Sequence, residues 1–208
     1  MTAAAQQARF SILFVCTGNI CRSPYAELLT RHLLDQRLPR TNAVRFTVRS
    51  AGTAALTGSE MEPMTSSLIQ EWGVPRTAGQ EHVARQIDEP TISRADLVLT
   101  AERHHRAHVA TLCPGARSRC FTLREFNRLL NQVEPGPPAD DPVEIARAGV
   151  VAAAGRRGMT PPVAASEDAI ADPFRRTPEF HRATTTMLDT LVANVVRMLT
   201  ARGVCPGV

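Results

Sequence analysis

The chain has 208 residues, is 43% hydrophobic and 4% aromatic, and carries a formal net charge of +4 in which every basic side chain is arginine. That length suits one domain with a sizeable insertion, and the composition excludes a disordered tail and a membrane-inserted span. No basic run interleaves with aromatics, which argues against nucleic-acid binding, although a mildly basic surface steers anionic substrates.

The apolar run Phe10–Val15 predicts a first strand, covered on both faces, that leads into the loop Cys16-Thr17-Gly18-Asn19-Ile20-Cys21-Arg22. Ser23-Pro24 then opens a helix whose Ala26, Leu29 and Leu33 share a face. Phe46–Ser50 reads as a second strand, and Met61, Met64 and Leu68 as one face of a second helical segment. Leu97–Thr100 is the third strand, followed by a helix on which His104, His105 and His108 read as a solvated cluster. Cys120–Leu123 is the fourth strand. Asp141 and Pro142 suit the cap and first position of a helix reaching about Ala154. Leu188, Leu191, Val192, Val195 and Leu199 follow the 3.6-residue period of a final helix. This alternation predicts an α/β fold, a parallel sheet with helices on both faces, and ligands bind beyond the C-terminal ends of such strands. A Pro/Ala-rich insertion at about 131–171, with linker-like flanks, interrupts the rhythm of what otherwise reads as a single domain over 1–208.

Five cysteines, an odd number without framework spacing, point to a reducing compartment. The N-terminal MTAAAQQARFSILFVC lacks the pattern of a signal peptide, so a cytoplasmic location is expected.

The loop after the first strand holds the chemistry. If it wraps with the amides of residues 17 to 22 inward, those amides and the positive end of the following helix make a cradle for a tetrahedral dianion. Arg22 can grip two oxygens of that anion in a fork, and Cys16 lies on the floor, where the same field favours a thiolate able to attack in line. Gly18 and Asn19 suit the positive φ of a tight wrap. The leaving oxygen needs a proton, and Asp172-Pro173-Phe174 offers a carboxyl on a stiffened loop with an apolar wall beside it. Asp168 lies close by but lacks the Pro-Phe frame.

Val15 to Pro24 resembles the signature of the low-molecular-weight protein tyrosine phosphatases, and Asp172-Pro173-Phe174 resembles their general-acid loop. Ser50-Ala51-Gly52-Thr53, His82-Val83-Ala84-Arg85-Gln86 and Ala95–Thr100 match further segments in order. The resemblance implies a four-stranded sheet ordered 2-1-3-4 in a three-layer sandwich, with neither metal nor organic cofactor. It implies that Cys16 is the nucleophile and becomes a phosphocysteine, that Arg22 binds phosphate, and that Asp172 is acid and then base. Thr17, Gly18, Asn19, Ile20 and Cys21 complete the phosphate loop, and Ser23 donates to the thiolate. Asn19, Ser50 and His82 belong to a network that holds the loop in shape. Leu56 takes the place of an aromatic pocket wall and, with Phe174, lines the site. An aliphatic residue there resembles the bacterial exopolysaccharide and capsule branch, whose partners are phosphotyrosine tails of membrane-bound tyrosine autokinases. Where members often carry small residues or glycine after the acid loop, this chain has Arg175 and Arg176, which either read acidic partners or are simply solvated.

Other readings stay open on the sequence. Cys21 is either a redox partner of Cys16 or a small packed side chain. Cys113 and Cys120 have the spacing of the relay pair in thiol-dependent arsenate reductases of this fold, but a helix separates them from the third strand. A phosphotyrosine-binding module whose acid loop is displaced by the insertion is the non-catalytic alternative. Cys205 reads as incidental, and Tyr25 has no assigned role.

Overall fold

In a computed structural model that describes residues 8–133 and 140–200, the apolar runs pair as a parallel sheet. The strands are β1 (Phe10–Cys16), β2 (Phe46–Gly52), β3 (Leu97–Thr100) and β4 (Cys120–Thr122), in the order β2-β1-β3-β4. The helices are α1 (Arg22–Arg37), α2 (Arg40–Ala43), α3 (Pro63–Ile69), α4 (Arg76–Gln80), α5 (Glu89–Ser93), α6 (Arg103–Leu112), α7 (Leu123–Leu130), α8 (Pro142–Arg156) and α9 (Pro178–Thr200).

Alternation along the strands divides the core in two. Phe10, Ile12, Phe14, Val48, Leu97, Leu99 and Phe121 face one side, where Leu29 and Leu33 of α1, Phe126 of α7, Val150 of α8 and Val192 of α9 cover them. Leu13, Val15, Ala51, Val98 and Cys120 face the other, against Ile92 of α5 and Val109 of α6. The three layers follow from strands buried on both faces, since an all-parallel sheet must be covered twice. The register pairs Cys16 with Gly52, Val15 with Thr100, and Thr100 with Thr122. The C-terminal ends of the strands therefore form one rim. Among the described residues no helix is long and apolar enough to cross a membrane.

Several boundaries differ from expectation. Leu123 starts α7 instead of ending β4, because Thr122 and Glu125 form a reciprocal capping box that commits the chain to a helix. Met64 is exposed and Met61 precedes α3, which buries Thr65, Ser66, Leu68 and Ile69 instead. Inside the 131–171 stretch, α8 begins as expected, with the Asp141 side chain accepting from the Val143 amide. Its Val143, Ala146, Val150 and Ala153 join the main core, so this segment is no surface appendage. The linker expected before Asp141 falls largely on 134–139, and Cys205 falls on 201–208; both lie outside the described residues.

Candidate active site

The loop from Cys16 to Arg22 joins the end of β1 to the start of α1. Its carbonyls are turned outward and bonded to the surroundings. Cys16, Thr17 and Gly18 accept from the amides of Thr53, Ala54 and Leu56, while Ile20 and Cys21 accept from those of Glu62 and Tyr25. The Asn19 carbonyl accepts from Nε2 of His82 at 2.8 Å. Among the described residues, no protein group accepts a hydrogen bond from the amides of Gly18 to Arg22. Buried backbone amides are almost always paired, so a run of them left free around a loop suits an anion.

The turn depends on Asn19, which is fully buried at a φ of 56°. Its Nδ2 donates to Ser23 Oγ at 2.9 Å and to Ser50 Oγ at 2.8 Å, and its Oδ1 accepts from the Arg85 amide at 2.9 Å. Gly18 has no positive φ, contrary to expectation; the reversal of hand is concentrated at Asn19, whose side-chain bonds stabilise it. Gly52 is needed for a different reason: a Cβ there would lie 2.3 Å from the Thr17 carbonyl oxygen.

The polarity of this network follows from donor counting. Ser50 donates to Glu27 Oε2 at 2.5 Å, so its oxygen is the acceptor for Asn19. Ser23 Oγ likewise accepts from Asn19 and lies 2.9 Å from Cys16 Sγ, within reach to donate its proton when that sulfur is a thiolate. Glu27 is itself paired with Arg31 at 2.6 Å. The buried path Glu27–Ser50–Asn19–Ser23 thus ends in a hydroxyl 2.9 Å from the sulfur. Burial lowers the pKa of His82, favouring the neutral ring whose Nε2–H holds the Asn19 carbonyl.

Arg22 is 2% exposed although charged, and its neighbours explain how. Nη1 donates to Glu102 Oε1 at 2.7 Å and to the Ile170 carbonyl at 2.9 Å, and Nη2 donates to Asp172 Oδ2 at 2.7 Å and to Thr17 Oγ1 at 3.3 Å. Nε is buried without a partner among the described residues. The His105 ring has its Nε2 2.9 Å from Thr17 Oγ1 and its Nδ1 buried without a partner among the described residues. Its pKa is depressed to about 3, by burial first and then by His104, Arg22 and His108.

Cys16, Arg22, Ile20, Leu56, Phe174 and Asp172 surround a cavity of about 130 Å³, completed by Thr17, Gly18, Cys21 and Ala54. Cys16 and Arg22 are deeply buried, Ile20, Leu56 and Phe174 are apolar walls, and the exposed Asp172 is the sole carboxylate in the lining. The Phe174 amide bonds Asp172 Oδ1 at 3.2 Å. Just beyond, Arg175 adopts a φ of 60°, in the left-handed region that glycine occupies without cost, and lies 5.1 Å from the Phe174 ring centroid.

The structure brings together every residue expected at the site and adds Glu27, Glu102 and His105, which sequence reasoning missed. His105 was expected on a solvated face; it is fully buried, whereas His104 is exposed. Glu102, His104 and His105 hold ligand-type atoms within 4.8 Å of one another, but Arg22 and the positive end of α6 lie beside them, a poor field for a cation. Burial pushes the Cys21 thiol up to about 12, which keeps it protonated and packed at neutral pH. Cys113 and Cys120 do not join the site: Cys120 packs in the core on the opposite face of the sheet from Cys16. Tyr25 donates to Asp189 Oδ1 at 2.6 Å and Trp72 to the same oxygen at 2.8 Å, tying the start of α1 to α9.

Comparison with known proteins places this geometry. Residues 11–149 match the family described as low molecular weight phosphotyrosine protein phosphatase. The probable low molecular weight protein-tyrosine-phosphatase AmsI of Erwinia amylovora is 34% identical over 128 residues, 62% of this chain and 78% of that protein. A protein-arginine-phosphatase of Geobacillus stearothermophilus is 32% identical over 139 residues, 67% of this chain and 85% of its own length. The crystal structure of the Erwinia protein superposes with a TM-score of 0.64 at 24% identity, covering 94% of this chain and 97% of that one, a likeness of fold.

Proposed function

The chain belongs to the low molecular weight phosphotyrosine protein phosphatase family, and from that premise we propose that it hydrolyses phosphotyrosine in proteins through a phosphocysteine on Cys16. The observation that carries the reading is the loop itself. Its carbonyls face outward, and among the described residues its amides from Gly18 to Arg22 and the Nε–H of a buried guanidinium have no partner. An unpaired buried donor costs roughly 1–3 kcal/mol, a cost that a bound oxyanion removes.

Cys16 Sγ attacks phosphorus in line while the S–P bond forms and the P–O bond to the phenol breaks. An oxyanion engaging Arg22 frees the Asp172 carboxyl from Nη2, and Asp172 gives its proton to the departing oxygen. In the second step Asp172 takes a proton from water as that water attacks phosphorus, and the sulfur leaves as thiolate. The Ser23 hydroxyl aimed at Sγ stabilises the charge that returns to it. Arg22 and the loop amides hold the equatorial oxygens throughout.

Ile20, Leu56 and Phe174 present apolar surface to the leaving group, which suits a phenyl ring. A phosphoarginine leaving group would bring a guanidinium that looks for carboxylates, and this lining offers Asp172 alone, already given to acid–base work. Tails of bacterial tyrosine autokinases are the substrate class we favour, on resemblance to the exopolysaccharide and capsule branch.

The test is p-nitrophenyl phosphate turnover by the wild type and Cys16→Ser, followed by phosphotyrosine and phosphoarginine peptides. Turnover lost in the serine variant, with the phosphotyrosine peptide preferred, is the expected result. Tight phosphopeptide binding without turnover of even the activated ester would make the protein a binding module instead.

A further inference from the structure

Four residues before the acid lies a second carboxylate that the chemistry above does not use. Asp168 ends a single helical turn, Ala165–Asp168, and is 2% exposed. Two helices reach it. Arg103 of α6 donates through Nε at 2.8 Å and pairs through Nη2 at 2.6 Å with Oδ2, while Arg128 of α7 donates to Oδ1 at 2.8 Å. Arginines also hold the backbone on either side: Arg103 bonds the Val163 carbonyl, and Arg124 bonds those of Ser166 and Ala169. Burial pushes the Asp168 carboxyl up, but the bonds from Arg128 and Arg103 outweigh it, and the net shift is downward.

The other end of this clamp is at the reaction centre. The consecutive residues Ala101, Glu102 and Arg103, where β3 passes into α6, each hold a different part of the site. The Ala101 carbonyl accepts from the Ile170 amide at 2.9 Å. Glu102 holds the Arg22 guanidinium, which also takes the Ile170 carbonyl. Arg103 holds Asp168. The chain is thus fastened at 168 and 170, with a longer bond of 3.5 Å from Thr184 Oγ1 to the Ala171 carbonyl, before Asp172 emerges into solvent two residues beyond 170. Two residues of chain leave little room for the acid to wander once both anchors are in place.

We propose that Asp168 is a positioning residue: clamped by Arg103 and Arg128, it sets the register of the acid loop against Arg22 so that the Asp172 carboxyl meets the leaving oxygen. The inference rests on the phosphatase reading and deepens it. It also gives the segment before the acid loop a function, since that segment carries the carboxylate that locks the loop to α6 and α7.

Protonation of the leaving group matters greatly for phenyl phosphate and little for 2,4-dinitrophenyl phosphate, whose phenolate departs unaided. Asp168→Asn and Arg128→Gln, made in the full chain, are therefore compared with wild type on both esters. The expected result for Asp168→Asn is about a tenfold fall in kcat/KM on phenyl phosphate and less than about twofold on the dinitrophenyl ester, with Arg128→Gln shifting the same way by less. Adding Asp168→Asn to Asp172→Asn should cost nothing further on phenyl phosphate, because the two act through one proton transfer. Equal losses on both esters, or additive losses in the double variant, would overturn the proposal by reducing Asp168 to general support of the fold. Arg128→Gln keeps Arg103 as partner and decides the matter on the same ratio if Asp168→Asn does not fold. A wild type that hydrolyses neither ester refutes the phosphatase reading itself, an outcome distinct from an unchanged ester ratio.

Discussion

Asn19→Ala strikes the loop at the point where backbone and side chain are both committed. The side chain makes three buried hydrogen bonds, two from Nδ2 and one to Oδ1. At about 1 kcal/mol each they contribute roughly 3 kcal/mol. Alanine would also have to hold a φ of 56°, a region asparagine tolerates better than alanine by about 1 kcal/mol. The sum, about 4 kcal/mol, is a large part of a typical folding free energy of ~5–15 kcal/mol. For a chain of this size it corresponds to a fall in Tm of about 8–16 °C. Urea unfolding should show the midpoint fall with an unchanged m-value. Asn19→Gly should recover only the backbone share, about 1 kcal/mol. Catalysis should change in a particular way: without the Asn19 amide, Ser23 is free to turn its hydroxyl from the sulfur, so phosphocysteine breakdown slows and a burst of p-nitrophenolate precedes the steady state. An alanine variant within about 1 kcal/mol of wild type would refute the reasoning, since the bonds and the backbone strain would then not be where the energy lies.

Asp172→Asn should slow phenyl phosphate hydrolysis by roughly two orders of magnitude or more, read as kcat/KM, because on the proposed mechanism the leaving oxygen loses its proton donor. His105 makes stability depend on pH with a definite sign. Its folded pKa, about 3, lies below the usual 6.5, so the unfolded chain takes up a proton that the native state refuses. The stability it contributes is full above pH 6.5 and is lost as pH falls toward 3. Between pH 7 and pH 5 the wild type should lose about 2 kcal/mol more than His105→Gln, measured as urea midpoints at both values; parallel profiles would contradict it.

The residues themselves carried much of this protein. Apolar runs bounded by turns located the strands, since a strand buried on both faces must be apolar throughout, and Asp141-Pro142 announced the start of α8 because cap and first-turn preferences are local. That Cys16, Arg22 and Ser23 meet where β1 passes into α1 was legible because a short, fixed spacing after a strand keeps them together. Asp172 was legible through its Pro-Phe frame. Glu27, Glu102, His105 and Asp168 were not. Glu27 lies inside a helix as an ordinary acidic residue, and only the buried Ser50 beside it shows its use. Glu102 and Asp168 meet arginines 80 and 65 positions away in sequence, and His105 meets a threonine 88 away. A buried charge is defined by its partner, and the pairing of parallel strands, by bringing distant segments to one rim, chose those partners; no local pattern records that choice.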